Sequence, residues 1–331
     1  MNDKAVSLLE QYEIEILQIR KGRGSILCDT KEGCLIFKEY EGNPEKLALI
    51  DEVLTRIKEC SDVPVEQLIK NKEGGFFTED SDGKKYILKT FFENRECSIK
   101  DPEECKEAVQ TLAKLHHAMH FPDDSLIKEK LPDHSIDREF AKHNRELRKI
   151  WQYLKKKGQK SSFEILLLEK YPYFLSQSEQ VQENWLNFKK AEDGGQISKE
   201  GRVCHGDYRY HNIIRQEKGF AVINFEKMMA DDGIRDLGLF LRKLLEKNNW
   251  SVSLGDAVLE AYSKEFELSN NALTELYYRL AYPEKFWKIV NFYYNSRKVW
   301  IPEKNSEKLR VLWEQEKEKQ TFLEQIFHTI P

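Results

Sequence analysis

The stretch Cys204 to Met228, CHGDYRYHNIIRQEKGFAVINFEKM, decides how this chain is read. It opens with His205-Gly206-Asp207 and places Asn212 five positions past the aspartate. Two short alternating runs follow, NIIRQ and FAVINF, around Glu217-Lys218-Gly219, which predicts a β-hairpin. The hairpin ends at Asn224, with Glu226 two residues beyond.

Phosphoryl transfer asks little covalent chemistry of a protein. It needs positioned phosphates, metal ions that neutralise charge, and an acceptor held in line. In the kinase arrangement an Asp on the catalytic loop orients the acceptor hydroxyl, and an Asn five residues later binds metal. An acid after the hairpin then holds the metals bridging the phosphates. Asp207 and Asn212 have these types and this spacing, making Asp207 the candidate catalytic residue and Asn212 a candidate metal ligand. Where the acid is expected, the chain has the neutral Asn224.

Working outward, the first ninety residues read as short strands: EIEILQIR, SILCDT, CLIFKEY, VEQLIK, GFFTED and KKYILKTFF. Lys38, in CLIFKEY, is the candidate phosphate-binding lysine; on a strand Ile36 shares its face and is placed to touch an adenine. Gly22 and Gly24, in RKGRGSIL, stand where a phosphate-covering loop belongs, although a plain hairpin turn explains them equally well. A helix opens at Asn43-Pro44, with Leu47, Ile50, Leu54 and Ile57 on its apolar face. Asp51 and Glu52 are both open as the helix acid that would pair with Lys38, and the hinge is expected near Lys89–Phe92.

From about residue 100 the texture turns helical. Asp101 and Pro102 start one helix, and amphipathic segments run from Asp137 to about Lys157 and from about Phe163 onward. Asp236 is expected either to cap the following helix or to bond the catalytic-loop backbone, and His116 and His117 to be packed rather than ligating. YPEKFWKIVNFYYNSRKVW, residues 282–300, holds seven aromatics and reads as helix core, with an aromatic acceptor groove as the alternative.

Composition narrows the classes. The 331 residues are 40% hydrophobic and 33% charged, with a net charge of −4. That near-balance, with a pI near 6.2, argues against a general nucleic-acid or membrane-surface binder. No run approaches the roughly 20 apolar residues of a membrane span, and MNDKAVSLLEQYEIEILQIR lacks a signal-peptide core, so cytoplasmic synthesis is expected. The six cysteines form no CxxC pair, which argues against a zinc site or disulfide frame.

HGDYRYHN, VINFEK, DLGLFLRKLLEKNNW and the aromatic segment together resemble the CotS-like family of spore coat proteins of endospore-forming bacteria. That family is similar to the aminoglycoside phosphotransferase and choline kinase group, itself similar in fold to protein kinases. The resemblance implies an α+β, two-lobed protein-kinase-like fold: a small antiparallel β-rich N-lobe with one main helix (1–92), and a larger, mostly helical C-lobe (93–331). It implies ATP and Mg2+ as cofactors, with Lys38, Asp207 and Asn212 in the phosphate, base and metal roles. Synthesis in the mother-cell cytoplasm, a place in the spore coat among other coat proteins, and a small-molecule or glycan acceptor also follow.

Asn224 is the departure. Magnesium prefers anionic oxygens, and an amide offers a neutral one. A loss of ~3 kcal/mol at the transition state slows turnover roughly a hundredfold. Glu226, on a strand continuing the hairpin, would share a face with Asn224 and supply a carboxylate. The chain therefore reads either as an ATP-dependent phosphotransferase or as a pseudokinase serving as a structural coat component.

Overall fold

The computed structural model describes residues 7–22, 24–121, 131, 134–191, 202–295, 302–328 and 330. It is the two-lobed kinase-like α+β fold, 57% helical and 15% strand. By compactness the chain divides into two units, one of residues 1–132, 200–236 and 261–266, the other of the remainder.

The first unit carries an antiparallel sheet in the order β1 (Ile16–Lys21), β2 (Ser25–Thr30), β3 (Gly33–Glu39), β6 (Lys85–Thr90), β4 (Leu68–Ile69), with β5 (Thr78–Glu79) also pairing β6. Alternation sorts the side chains of β3 and β6. Leu35, Phe37, Tyr86 and Leu88 point into an apolar cluster completed by Leu8, Leu9 and Tyr12. The register sets Lys38 opposite Ile87 and Lys89 opposite Ile36, so both lysines leave the other face. Gly24 has φ +70, the left-handed conformation that glycine adopts without penalty, and Gly22 N–H donates to Ser25 O at 3.0 Å. The β1–β2 connection is thus a tight turn; Arg23 lies outside the described residues.

Helix Glu45–Cys60 buries Leu47, Ile50, Val53, Leu54 and Ile57, and the Asn43 side chain accepts from Glu45 N–H. Helix Pro102–Ala118 is capped by Asp101, whose side chain accepts from Glu103 and Glu104. His116, buried in that helix, bonds the Tyr262 hydroxyl at 2.7 Å, and His117 the Glu265 carbonyl at 2.8 Å. Both are packed histidines.

In the second unit helices Ile136–Lys156 and Ser162–Ala191 pack along each other. Phe286, Ile289 and Val290 of helix Glu284–Asn295 enter their core beside Leu147, Leu167 and Phe174. This part of the aromatic segment is helix core; residues 296–300 lie outside the described residues. All six cysteines are free. Among the described residues no helix is long and apolar enough to cross a membrane.

Candidate active site: two lysines around one carboxylate

The catalytic loop is built by backbone anchoring. Asp236, in the first turn of helix Ile234–Lys247 and fully buried, accepts from His205 N–H at 2.6 Å and from Gly206 N–H at 2.8 Å. Of its two expected roles the structure shows the second, the bond to the loop backbone. His205 accepts the Asp207 N–H on Nδ1 at 3.1 Å, so its Nε2 carries the hydrogen donated to Ile223 O at 3.0 Å. Gly206 has φ +76, and a Cβ there would stand 2.1 Å from Lys227 O. Asn212 donates to Asp207 O at 2.8 Å, closing the loop on itself.

The hairpin forms as β7 (Ile213–Arg215) and β8 (Phe220–Val222), but it does not continue as a strand through Glu226. Asn224 takes the left-handed conformation, φ 69, ψ 57, and Phe225–Lys227 form a single 3-10 turn. Asn is the non-glycine residue best suited to that conformation, because its short amide relieves the cost locally. The turn, rather than strand alternation, brings Glu226 inward.

There Glu226 meets both lysines. Its Oε1 lies 2.6 Å from Lys38 Nζ and 2.8 Å from Lys89 Nζ. Lys89 also pairs with Glu66 Oε2 at 2.7 Å. The Asn224 side-chain oxygen accepts from Lys89 at 3.0 Å and Lys38 at 3.1 Å, while its amide donates to Asn212 Oδ1 at 2.9 Å. Glu66 Oε1 in turn accepts from Phe225 N–H at 3.1 Å, and Lys46 donates to Glu226 O at 2.9 Å. Two ammoniums and two carboxylates thus form a charge-balanced cluster. Lys38 pairs with Glu226 here, not with Asp51 or Glu52, since the helix turns its apolar face to the core.

Electrostatics follow from this geometry. Burial alone would discharge Lys89, but the Glu66 and Glu226 carboxylates outweigh it and hold the ammonium above the usual lysine range. Burial likewise opposes ionisation of Glu226, yet Lys89 and Lys38 hold its carboxyl far below the usual range. Lys38 shifts down, by burial and by repulsion from Lys89, with Glu226 pulling back.

A cavity of about 450 Å³ gathers Lys38, Asp207, Asn212, Asn224 and Glu226, with Tyr40, Arg209 and Lys227. Ile36, Gly22 and Gly24 are not among its lining residues. Asp207 Oδ2 is held by Arg209 at 2.7 Å and Lys227 at 3.1 Å. Near the expected hinge, Thr90 N–H bonds Gln67 O and Phe91 N–H bonds Cys34 O, both at 2.9 Å.

The donor set does not fit a magnesium ion. Mg2+ demands near-octahedral oxygens at about 2.0–2.1 Å. Here the Asn224 oxygen and Glu226 Oε1 each face two ammoniums, and Asn212 Oδ1 faces an amide.

Sequence reasoning placed Lys89 in the hinge and passed over Glu66. Each carries a signal: a lysine directly after the apolar run Tyr86-Ile87-Leu88, and an acid between the apolar Val65 and Leu68.

Comparisons with known proteins agree with this architecture. The chain is 22% identical over 322 residues to spore coat protein S of Bacillus subtilis (strain 168), covering 93% of this chain and 88% of that protein. An aminoglycoside phosphotransferase from Alicyclobacillus acidocaldarius superposes with TM-score 0.83 at 17% identity, over 98% of this chain and 95% of the other. The spectinomycin phosphotransferase APH(9)-Ia, in complex with ADP and spectinomycin, gives 0.68 at 14% identity, over 94% and 92%. Residues 5–326 match the family model described as "Spore coat putative kinase YutH", and the chain belongs to that spore coat family of kinase-like fold.

Proposed function

We propose that this chain is a catalytically impaired kinase-fold component of the spore coat, acting by binding rather than by magnesium-dependent phosphoryl transfer. It is made in the mother-cell cytoplasm and assembles with other coat proteins. One observation carries this reading: Asn224, where the motif expects a metal-binding acid, faces two lysines that are already engaged by Glu226. Membership of the coat family supports the location, and fold alone assigns no chemistry. The division at Phe92–Glu93, with the N-lobe covering a nucleotide-type cleft, belongs to the same proposal.

A second reading is ATP-dependent transfer to a small hydroxylated molecule, a glycan or a coat protein. It is favoured by Asp207 and Asn212 lining the same cavity as Lys38. It would need Mg2+ on Asn212, Asn224 and Glu226, against the donor geometry above.

The two separate in an endospore-forming host carrying Asp207→Ala at the native locus. The binding reading expects Asp207→Ala spores to incorporate the protein and resist lysozyme like the parent, while a deletion strain does not. A variant that assembles stably but reproduces the deletion defect would establish chemistry as the role.

A further inference from the structure

The cluster has an internal asymmetry that points to a ligand. Lys89 and Glu66 are closed off, with side-chain exposures of 2% and 3%, whereas Glu226 retains 20% and Lys38 24%. Glu66 is fixed in place: it receives Phe225 N–H, and its chain neighbour Val65 bridges Val222. Glu226 sits instead on a one-turn segment, its backbone oxygen held separately by Lys46. A single oxygen, Glu226 Oε1, is shared by both ammoniums. That is how two lysines hold one oxygen of a phosphate. Were the Glu226 side chain to swing aside, Lys89 would keep Glu66 as counterion, and Lys38, whose carboxylate partner is Glu226, would be left to the entering anion. The vacated position would then face Lys38 and Lys89, with Lys46 close behind.

We propose that Lys89, braced by Glu66 against the Asn224 oxygen, takes the place of the divalent cation, making the cleft a metal-independent site for a phosphate-bearing anion that displaces the Glu226 carboxylate. This rests on the reading that the site does not bind magnesium. It adds what the site takes instead: a phosphate-bearing anion neutralised by protein ammoniums, for which ADP serves as the probe. No bond is made or broken in the step; one carboxylate is exchanged for a phosphate oxygen.

The test is isothermal titration of the full chain with ADP, in EDTA and again with magnesium. ADP should bind in EDTA, with magnesium tightening it by no more than about threefold. Glu226→Gln removes the competing charge and should tighten binding about tenfold, the scale of one close charge pair. Lys89→Met should weaken it at least as much. Because Lys89→Met strands Glu66, Lys89→Met/Glu66→Gln is run beside it, and Glu226→Gln stands independently of either. Binding that requires magnesium, or a Glu226→Gln variant that binds more weakly, would overturn the proposal. So would no binding at millimolar ADP in either buffer. That last outcome leaves the coat-component reading intact, whereas release of phosphate from magnesium-ATP, abolished by Asp207→Ala, would sink that reading itself.

Discussion

Asp236→Asn isolates what holds the catalytic loop. The native carboxylate receives two backbone N–H groups, from His205 at 2.6 Å and Gly206 at 2.8 Å, with no exposure to solvent. Hydrogen bonds to a charged acceptor are worth ~1.5–3 kcal/mol each, and an unsatisfied buried donor costs ~1–3 kcal/mol. The amide keeps one acceptor oxygen and turns an NH2 toward the second N–H, losing one bond and setting donor against donor. Relief from burying a charge offsets part of this, leaving a net loss of ~3–5 kcal/mol. With ~2.1 cal/mol/K of unfolding entropy per residue, the melting temperature of a chain this long should fall by roughly 4–7 °C if it unfolds as a unit. Calorimetry measures the fall, and hydrogen exchange should show lost protection at the His205 and Gly206 amides. A change under ~1 °C with both amides still protected would refute the claim that this carboxylate anchors the loop.

Three further outcomes are expected. Gly206→Ala adds a left-handed penalty of ~1–2 kcal/mol and forces a Cβ against Lys227 O, so urea denaturation should register a loss of ~2–5 kcal/mol. Burial opposes ionisation of Glu284, but Lys288, Arg242 and His143 lower its pKa from 4.5 to about 2. Its folded pKa lies below the unfolded one, so its stabilisation, about 3 kcal/mol, is complete above pH 4.5 and drains away toward pH 2. Glu284→Gln should flatten that limb of the melting-temperature profile. Asn224→Asp puts a carboxylate between Lys38 and Lys89 but loses the bond that the amide donates to Asn212 Oδ1; it should gain no magnesium-dependent shift in melting temperature with ATP. Such a shift in this single variant would mean that Asn224 alone limits the metal site.

Local patterns made much of this legible in the sequence. Alternation in CLIFKEY placed Lys38 on the face opposite Phe37, and the Asp101-Pro102 pair marked a helix start that the structure reproduces. Lys89 and Glu226 were harder, because their partners lie far off in sequence. Lys89 meets Glu66 and Glu226 only once β6 pairs with β3 and Val222 bridges Val65. The expectation that Glu226 follows a strand failed at one residue. Asn224 turns left-handed and converts the alternation into a 3-10 turn, a change of two dihedral angles that no apolar pattern encodes.

His205 and Asn212 have structural roles in this loop that do not require catalysis. His205 serves as acceptor for Asp207 N–H and as donor to Ile223 O. Asn212 closes the loop through Asp207 O, and Ile223 N–H returns to Asn212 O at 3.0 Å. Every one of these bonds is to backbone. Replacing His205 or Asn212 would strand buried polar groups and unseat the hairpin that presents Asn224 and Glu226. The Asp207 carboxylate is different: its bonds run to Arg209 and Lys227, side chains at the cavity rim. A loop kept for folding tolerates loss of that carboxylate, and a loop kept for chemistry does not. Asp207→Ala is therefore the substitution that separates the two roles, and Asn212→Ala, which damages both, cannot.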